Sequence, residues 1–76
     1  MIDELKRYAI IATEYGDDYY IWYGDDCAML WDSISDFLLF DNYDEAQAVI
    51  DGLTNGTIEK CWNYGDFTFK IVEYKN

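Results

Sequence analysis

The sequence predicts one small α+β domain: an antiparallel sheet of four to five strands, drawn as two hairpins, with one or two helices on a face. Three observations carry this. Several short runs alternate large apolar and polar residues with the period of a strand, one run between Asn42 and Leu53 has the period of a helix, and turn residues separate them. The chain also has the apolar content for a core, since 51% of its 76 residues are hydrophobic and 20% aromatic. A single domain spanning 1–76 is therefore expected, although a domain of this size buries only about 60% of its unfolded surface.

Lys6–Glu14 and Tyr19–Tyr23 read as two strands joined by a turn at Tyr15–Asp18. After Gly24-Asp25-Asp26, the segment 27–36 is ambiguous between helix and loop. Leu30, Trp31, Ile34, Phe37 and Leu38 fit a helical stripe, but Phe37–Phe40 fits a short buried strand better. From Asn42 to Leu53, Ala46, Val49, Ile50 and Leu53 recur at i, i+3, i+4 and i+7. Asn42 is the expected cap, with Glu45 as the second member of a capping-box-like pair, and Gly52 and Asn55-Gly56 as the stop. Thr57–Trp62 and Phe67–Tyr74 read as a second hairpin around Asn63–Asp66, the last strand alternating Phe67, Phe69, Ile71 against Thr68, Lys70, Val72.

One helix covers one face of such a sheet, yet the strand 19–23 carries Tyr19, Ile21 and Tyr23 on one side and Tyr20 and Trp22 on the other. Loop 24–36, with Met29, Leu30 and Trp31, is expected to fold over the second face. If it does not, an exposed aromatic patch marks a partner interface or a homodimer seam.

Charge is the strongest functional signal. The chain has 16 acidic and 5 basic residues, a net charge of −11. From Tyr8 to Glu59 no Lys or Arg occurs, while twelve carboxylates do. A one-sign block in a foldable sequence attracts basic partners and repels nucleic acid and anionic membrane, so no direct nucleic-acid or membrane binding is expected. Neither a secretory leader nor a membrane span is visible, and a cytoplasmic protein is the expectation. With no His and only Cys27 and Cys61, a zinc site is disfavoured and two reduced cysteines are expected.

Chemistry-bearing motifs are few. Tyr-Gly-Asp-Asp at 15–18 and 23–26 resembles the metal-binding hairpin of viral RNA-dependent polymerases, but the likeness ends with those four residues, and Gly-Asp is ordinary turn chemistry. No segment matches an EF-hand loop, and no His stands ready to activate Ser33 or Ser35. No enzyme, cofactor or metal is expected.

The acids remain as candidates. Asp17, Asp18, Asp25 and Asp26 fall at consecutive strand ends, and Asp32, Asp36, Asp41, Asp44, Glu45 and Asp51 continue through the loop onto the helix. Strand and helix spacings can set carboxylates at intervals comparable with phosphates along a nucleic-acid strand. Most also have a structural use, Asp44 and Glu45 at a helix start, Asp41 as an alternative cap and Asp17, Asp25 and Asp66 in turns, whereas Asp32, Asp36 and Asp51 have the weakest one. Tyr20, Trp22 and Trp31 are the candidate apolar anchors.

Tiny size, extreme acidity and abundant aromatics, with the string Phe40-Asp41-Asn42-Tyr43-Asp44-Glu45-Ala46 running into a capped helix, resemble the phage-encoded DNA-mimic inhibitors of the anti-CRISPR and anti-restriction type. That resemblance implies a stoichiometric inhibitor, monomeric or homodimeric. Its partner would be a basic nucleic-acid-binding protein, a nuclease or RNA-guided effector complex. The alternative is an acidic interaction module that binds a basic partner without mimicry.

Overall fold

The computed structural model describes residues 6–24, 27–35, 38–62 and 67–75. It shows the expected α+β class: one five-stranded sheet and one helix. In chain order these are β1 (Lys6–Glu14), β2 (Asp17–Gly24), β3 (Cys27–Trp31), α1 (Tyr43–Asn55), β4 (Glu59–Lys60) and β5 (Thr68–Lys75). The sheet order is β4-β3-β2-β1-β5, antiparallel throughout except for a short parallel pairing of β3 with β4.

The first hairpin forms with a tighter turn than expected. Tyr15 and Gly16 both take positive φ, 51° and 85°, the requirement of a two-residue turn that matches strand twist. Glu14 therefore pairs with Asp17, and Asp17 and Asp18 belong to β2. The ambiguous segment resolves as a strand over 27–31, because Ala28 and Leu30 face the core while Met29 and Trp31 face away.

The expected strand at Phe37–Phe40 is not formed as such. Phe37 lies outside the described residues, Leu38 donates its N–H to the Ser35 carbonyl in a turn, and Phe40 makes a single bridge with Tyr8. The β1–β2 pairing ends at Ile11–Tyr20, and Phe40 takes up the N–H and C=O of Tyr8 beyond that point, at 2.9 and 2.8 Å.

Helix α1 is capped as the sequence indicates: Asn42 Oδ1 accepts from the Glu45 N–H at 2.8 Å. The stop is at Asn55-Gly56: Gly56 takes φ 85°, the amides of Gly56 and Ile58 both donate to the Gly52 carbonyl, and Asn55 Oδ1 accepts from the Thr57 N–H at 3.0 Å. Gly52 is inside the helix, not part of its end. A Cβ there would stand 2.5 Å from Ile58 Cδ1, so the missing side chain lets the chain fold back under the helix. Asn42→Ala is expected to destabilise the fold by about 1 kcal/mol, the usual loss for a cap, read as a lower denaturant midpoint with an unchanged slope.

The second hairpin is not formed. β4 pairs with β3 at one edge and β5 pairs with β1 at the other. The reason lies in side-chain matching: Phe69 and Ile71 stand opposite Ala12 and Ile10 and complete the core stripe of β1, whereas Cys61 is joined to Cys27. That disulfide corrects the expectation of two reduced thiols. Two cysteines 34 residues apart give no local sign of pairing; the return of the chain after Gly56 to the β3 edge brings them together.

The core lies between α1 and one face of the sheet. Ala46, Val49 and Leu53 pack on Ile10, Ala12, Ile21 and Ala28, all buried. Edge-on aromatic pairs, Tyr8 with Tyr43 and Phe67 with both Tyr19 and Trp62, extend it, each with ring centroids 5.9 Å apart. Segment 27–31 does not cover the other face as expected. It becomes part of the sheet, and Met29 and Trp31 stay exposed on that face, at 40% and 38%.

Candidate functional site

Most of the described acids fall into two groups, with Glu59 on β4 and Glu73 on β5 outside both. At the turn of the first hairpin, Glu14 stands directly opposite Asp17, and Asp18 stands opposite Thr13, whose hydroxyl donates to Asp18 Oδ1 at 2.7 Å. Like charges face to face across a strand pair are destabilising. Trp31 pairs with Tyr20, which brings the following Asp32 to the same end. Glu14 joins the group only because of the two-residue turn, and sequence reading did not single it out.

The second group belongs to α1 and its approach. Asp41, Asp44, Glu45 and Asp51 are all exposed. Asp44 and Asp51 are two turns apart on one stripe, about 10.5 Å along the axis, opposite the buried stripe of Ala46, Val49 and Leu53. Gln47 Nε2 donates to Asp51 Oδ1 at 3.1 Å. No basic residue lies in the last turn, and Asp44 and Glu45 occupy the first turn, where the partial positive charge of the helix end favours them.

Beside this rim is a cavity of about 420 Å³. Tyr23, Leu38, Phe40 and Val49 form its apolar walls, and Asp41 and Glu45 contribute carboxylates. Such a pocket suits an aliphatic stem that ends in a cation, the form of a Lys or Arg side chain. No lining residue is basic.

The candidate anchors lie elsewhere. Tyr20, Trp22, Met29 and Trp31 share the sheet face away from α1, as the pairings Tyr20–Trp31 and Trp22–Met29 require. The predicted site residues thus separate into a hairpin-end group, a helix group and an aromatic face. Asp25, Asp26 and Asp36 lie outside the described residues. Among the described residues no three His, Cys, Asp or Glu side chains form a group able to hold a metal ion, and no described helix is long and apolar enough to cross a membrane.

Comparison with protein-family models, curated proteins and solved structures yields no match. The functional reading therefore rests on the charge and shape of this chain alone.

Proposed function

We propose that the protein is a stoichiometric inhibitor of a basic nucleic-acid-binding protein, acting in the host cytoplasm as an acidic decoy for nucleic acid. The observation that carries this is the helix rim: Asp41 ahead of α1 and Asp44, Glu45 and Asp51 along it are exposed, next to an apolar-walled pocket with no basic residue. Lys and Arg side chains that hold phosphates would pair with these carboxylates, and one cationic side chain would enter the pocket beside Tyr23. This moves the anchor from Tyr20, Trp22 and Trp31 to the pocket, because an anchor works where it is desolvated beside the charges it accompanies.

The separation of the hairpin-end acids from the helix acids favours the second reading, a basic partner held without imitation of a continuous phosphate row. One experiment separates the two. Restriction nucleases and RNA-guided effector complexes are assayed for DNA binding with and without the protein, across salt concentration. Mimicry requires that DNA and the protein compete and that affinity falls steeply as salt rises. The triple variant D44N/E45Q/D51N is expected to bind about tenfold more weakly, from roughly 0.5 kcal/mol for each exposed pair. Capture of a nuclease that still binds DNA overturns mimicry and leaves the module. The cytoplasm keeps most thiols reduced, so binding is to be measured with the Cys27–Cys61 bond both closed and open.

A further inference from the structure

The sheet face away from α1 has a charge unlike the rest of the chain. Strand register places Arg7 and Lys70 on it, with Asp18, and Glu59 at its edge through the pairing with Cys27. Among the described residues two cations and two carboxylates cancel on this face, within a chain of net charge −11. Its centre is apolar. None of Ile11, Tyr20, Trp22, Met29 or Val72 belongs to the core beneath the helix, and Met29, Trp31 and Tyr74 are 40%, 38% and 39% exposed.

A basic partner drawn by the acids has no electrostatic reason to choose a face that carries Arg7 and Lys70. A second copy of this chain does: two molecules of charge −11 repel everywhere except where both are neutral. We infer that this face is the seam of a homodimer, in which two sheets pack face to face about a twofold axis that runs along the strands between β1 and β2.

The register of the face fits that axis. Lys70, Ile11, Tyr20 and Trp31 form one row across the four long strands. A rotation about the axis exchanges β1 with β2 and β5 with β3. Lys70 of one copy then meets Trp31 of the other, a cation over an aromatic face, and Ile11 meets Tyr20. Two residues on, Val72 pairs with Ala9 and Trp22 with Met29 on the same face, beyond the point where β1 and β2 pair. The contacts are self-complementary, as an isologous interface demands, and the arrangement is an aligned sheet sandwich.

Four strands about 4.8 Å apart and rows about 3.3 Å per residue give a flat footprint of roughly 450 Å². That is below the roughly 800 Å² per partner of a standard specific interface. The dimer is accordingly weak and concentration-dependent, and salt strengthens it by screening the charges outside the seam.

Sedimentation equilibrium over a dilution series tests this. The mass is expected to rise from 9.0 kDa towards twice that value with concentration, further at high salt than at low. Trp31→Glu and, independently, Lys70→Glu are expected to hold the mass at that of one chain; both positions are exposed, and circular dichroism confirms that each variant is folded. In a mixture of labelled and unlabelled chains, an isotope-filtered nuclear Overhauser contact between the Trp31 ring and Lys70 is expected. Within one chain these residues lie three strands apart, about 14 Å. A single-chain mass at every concentration in high salt overturns the inference, and so does a dimer that neither variant disrupts or that lacks the Trp31–Lys70 contact.

Discussion

Opening the Cys27–Cys61 bond is expected to lower the melting temperature by roughly 15–30 °C, from about 3.8 kcal/mol of lost stability at about 4–8 °C per kcal/mol for a domain of this size. The energy follows from loop closure: the bond ties residues 34 apart, and removing it returns that freedom to the unfolded chain. The native state has little to set against the loss at this edge. β4 is two residues long and pairs in parallel with β3, with one further backbone bond from Cys61 N–H to the Ala28 carbonyl at 2.9 Å. Against a total stability of about 4–11 kcal/mol for 76 residues, the bond accounts for a large share. Thermal melts with and without reductant, beside the double variant Cys27→Ser/Cys61→Ser, measure it. The variant should melt where the reduced protein does and should ignore reductant. Equal melting temperatures for oxidised and reduced protein would show that the cross-link contributes nothing.

That bond also marks the boundary of what the sequence can reveal. Local period is legible: the alternation in 6–14 and 67–74 and the stripe Ala46, Val49, Ile50, Leu53 each gave the right element, and Asn42 capped as its position implied. Pairing partners are not local. Thr57–Trp62 and Phe67–Tyr74 looked like neighbours because few residues separate them, yet each found a better-matched edge elsewhere, β4 beside Cys27 and β5 beside the Ile10–Ala12 stripe. Phe37–Phe40 had a strand's composition, but among its described residues, 38–40, Tyr8 bridges Phe40 alone.

The candidate site divides in the same way. The stripe of Asp44 and Asp51 follows from helical period once the helix is known. The opposition of Glu14 and Asp17 needed the left-handed backbone of Tyr15 and Gly16, and the neutrality of the aromatic face needed the placement of β5, which supplies Lys70. The sign of the surface could be read from composition, whereas its distribution depended on strand order.

Ile21→Ala is expected to destabilise the fold by about 2–5 kcal/mol, the range for truncating a buried isoleucine, and Ile21→Val by only about 0.5–1.5 kcal/mol. Among the described residues Ile21 and Ile10 are the largest fully buried side chains, both 0% exposed. Ile21 sits on β2 beside Leu30 of β3, in the cluster that receives Ala46, Val49 and Leu53. The cavity left by alanine cannot be refilled cheaply, because Ala12, Ala28 and Ala46 in the same cluster are short side chains. The next strand provides the control. Met29 is on β3 with its side chain on the opposite face, 40% exposed, so Met29→Ala should change the stability of the single chain by less than about 0.5–1 kcal/mol. Chemical denaturation at low protein concentration separates the two substitutions. At high concentration Met29→Ala should gain a cost that Ile21→Ala does not, since a dimer adds its association energy to stability in proportion to the logarithm of concentration. Equal costs for the two at low concentration would mean that the sheet buries both faces alike, and the assignment of one core face and one neutral docking face would fall with it.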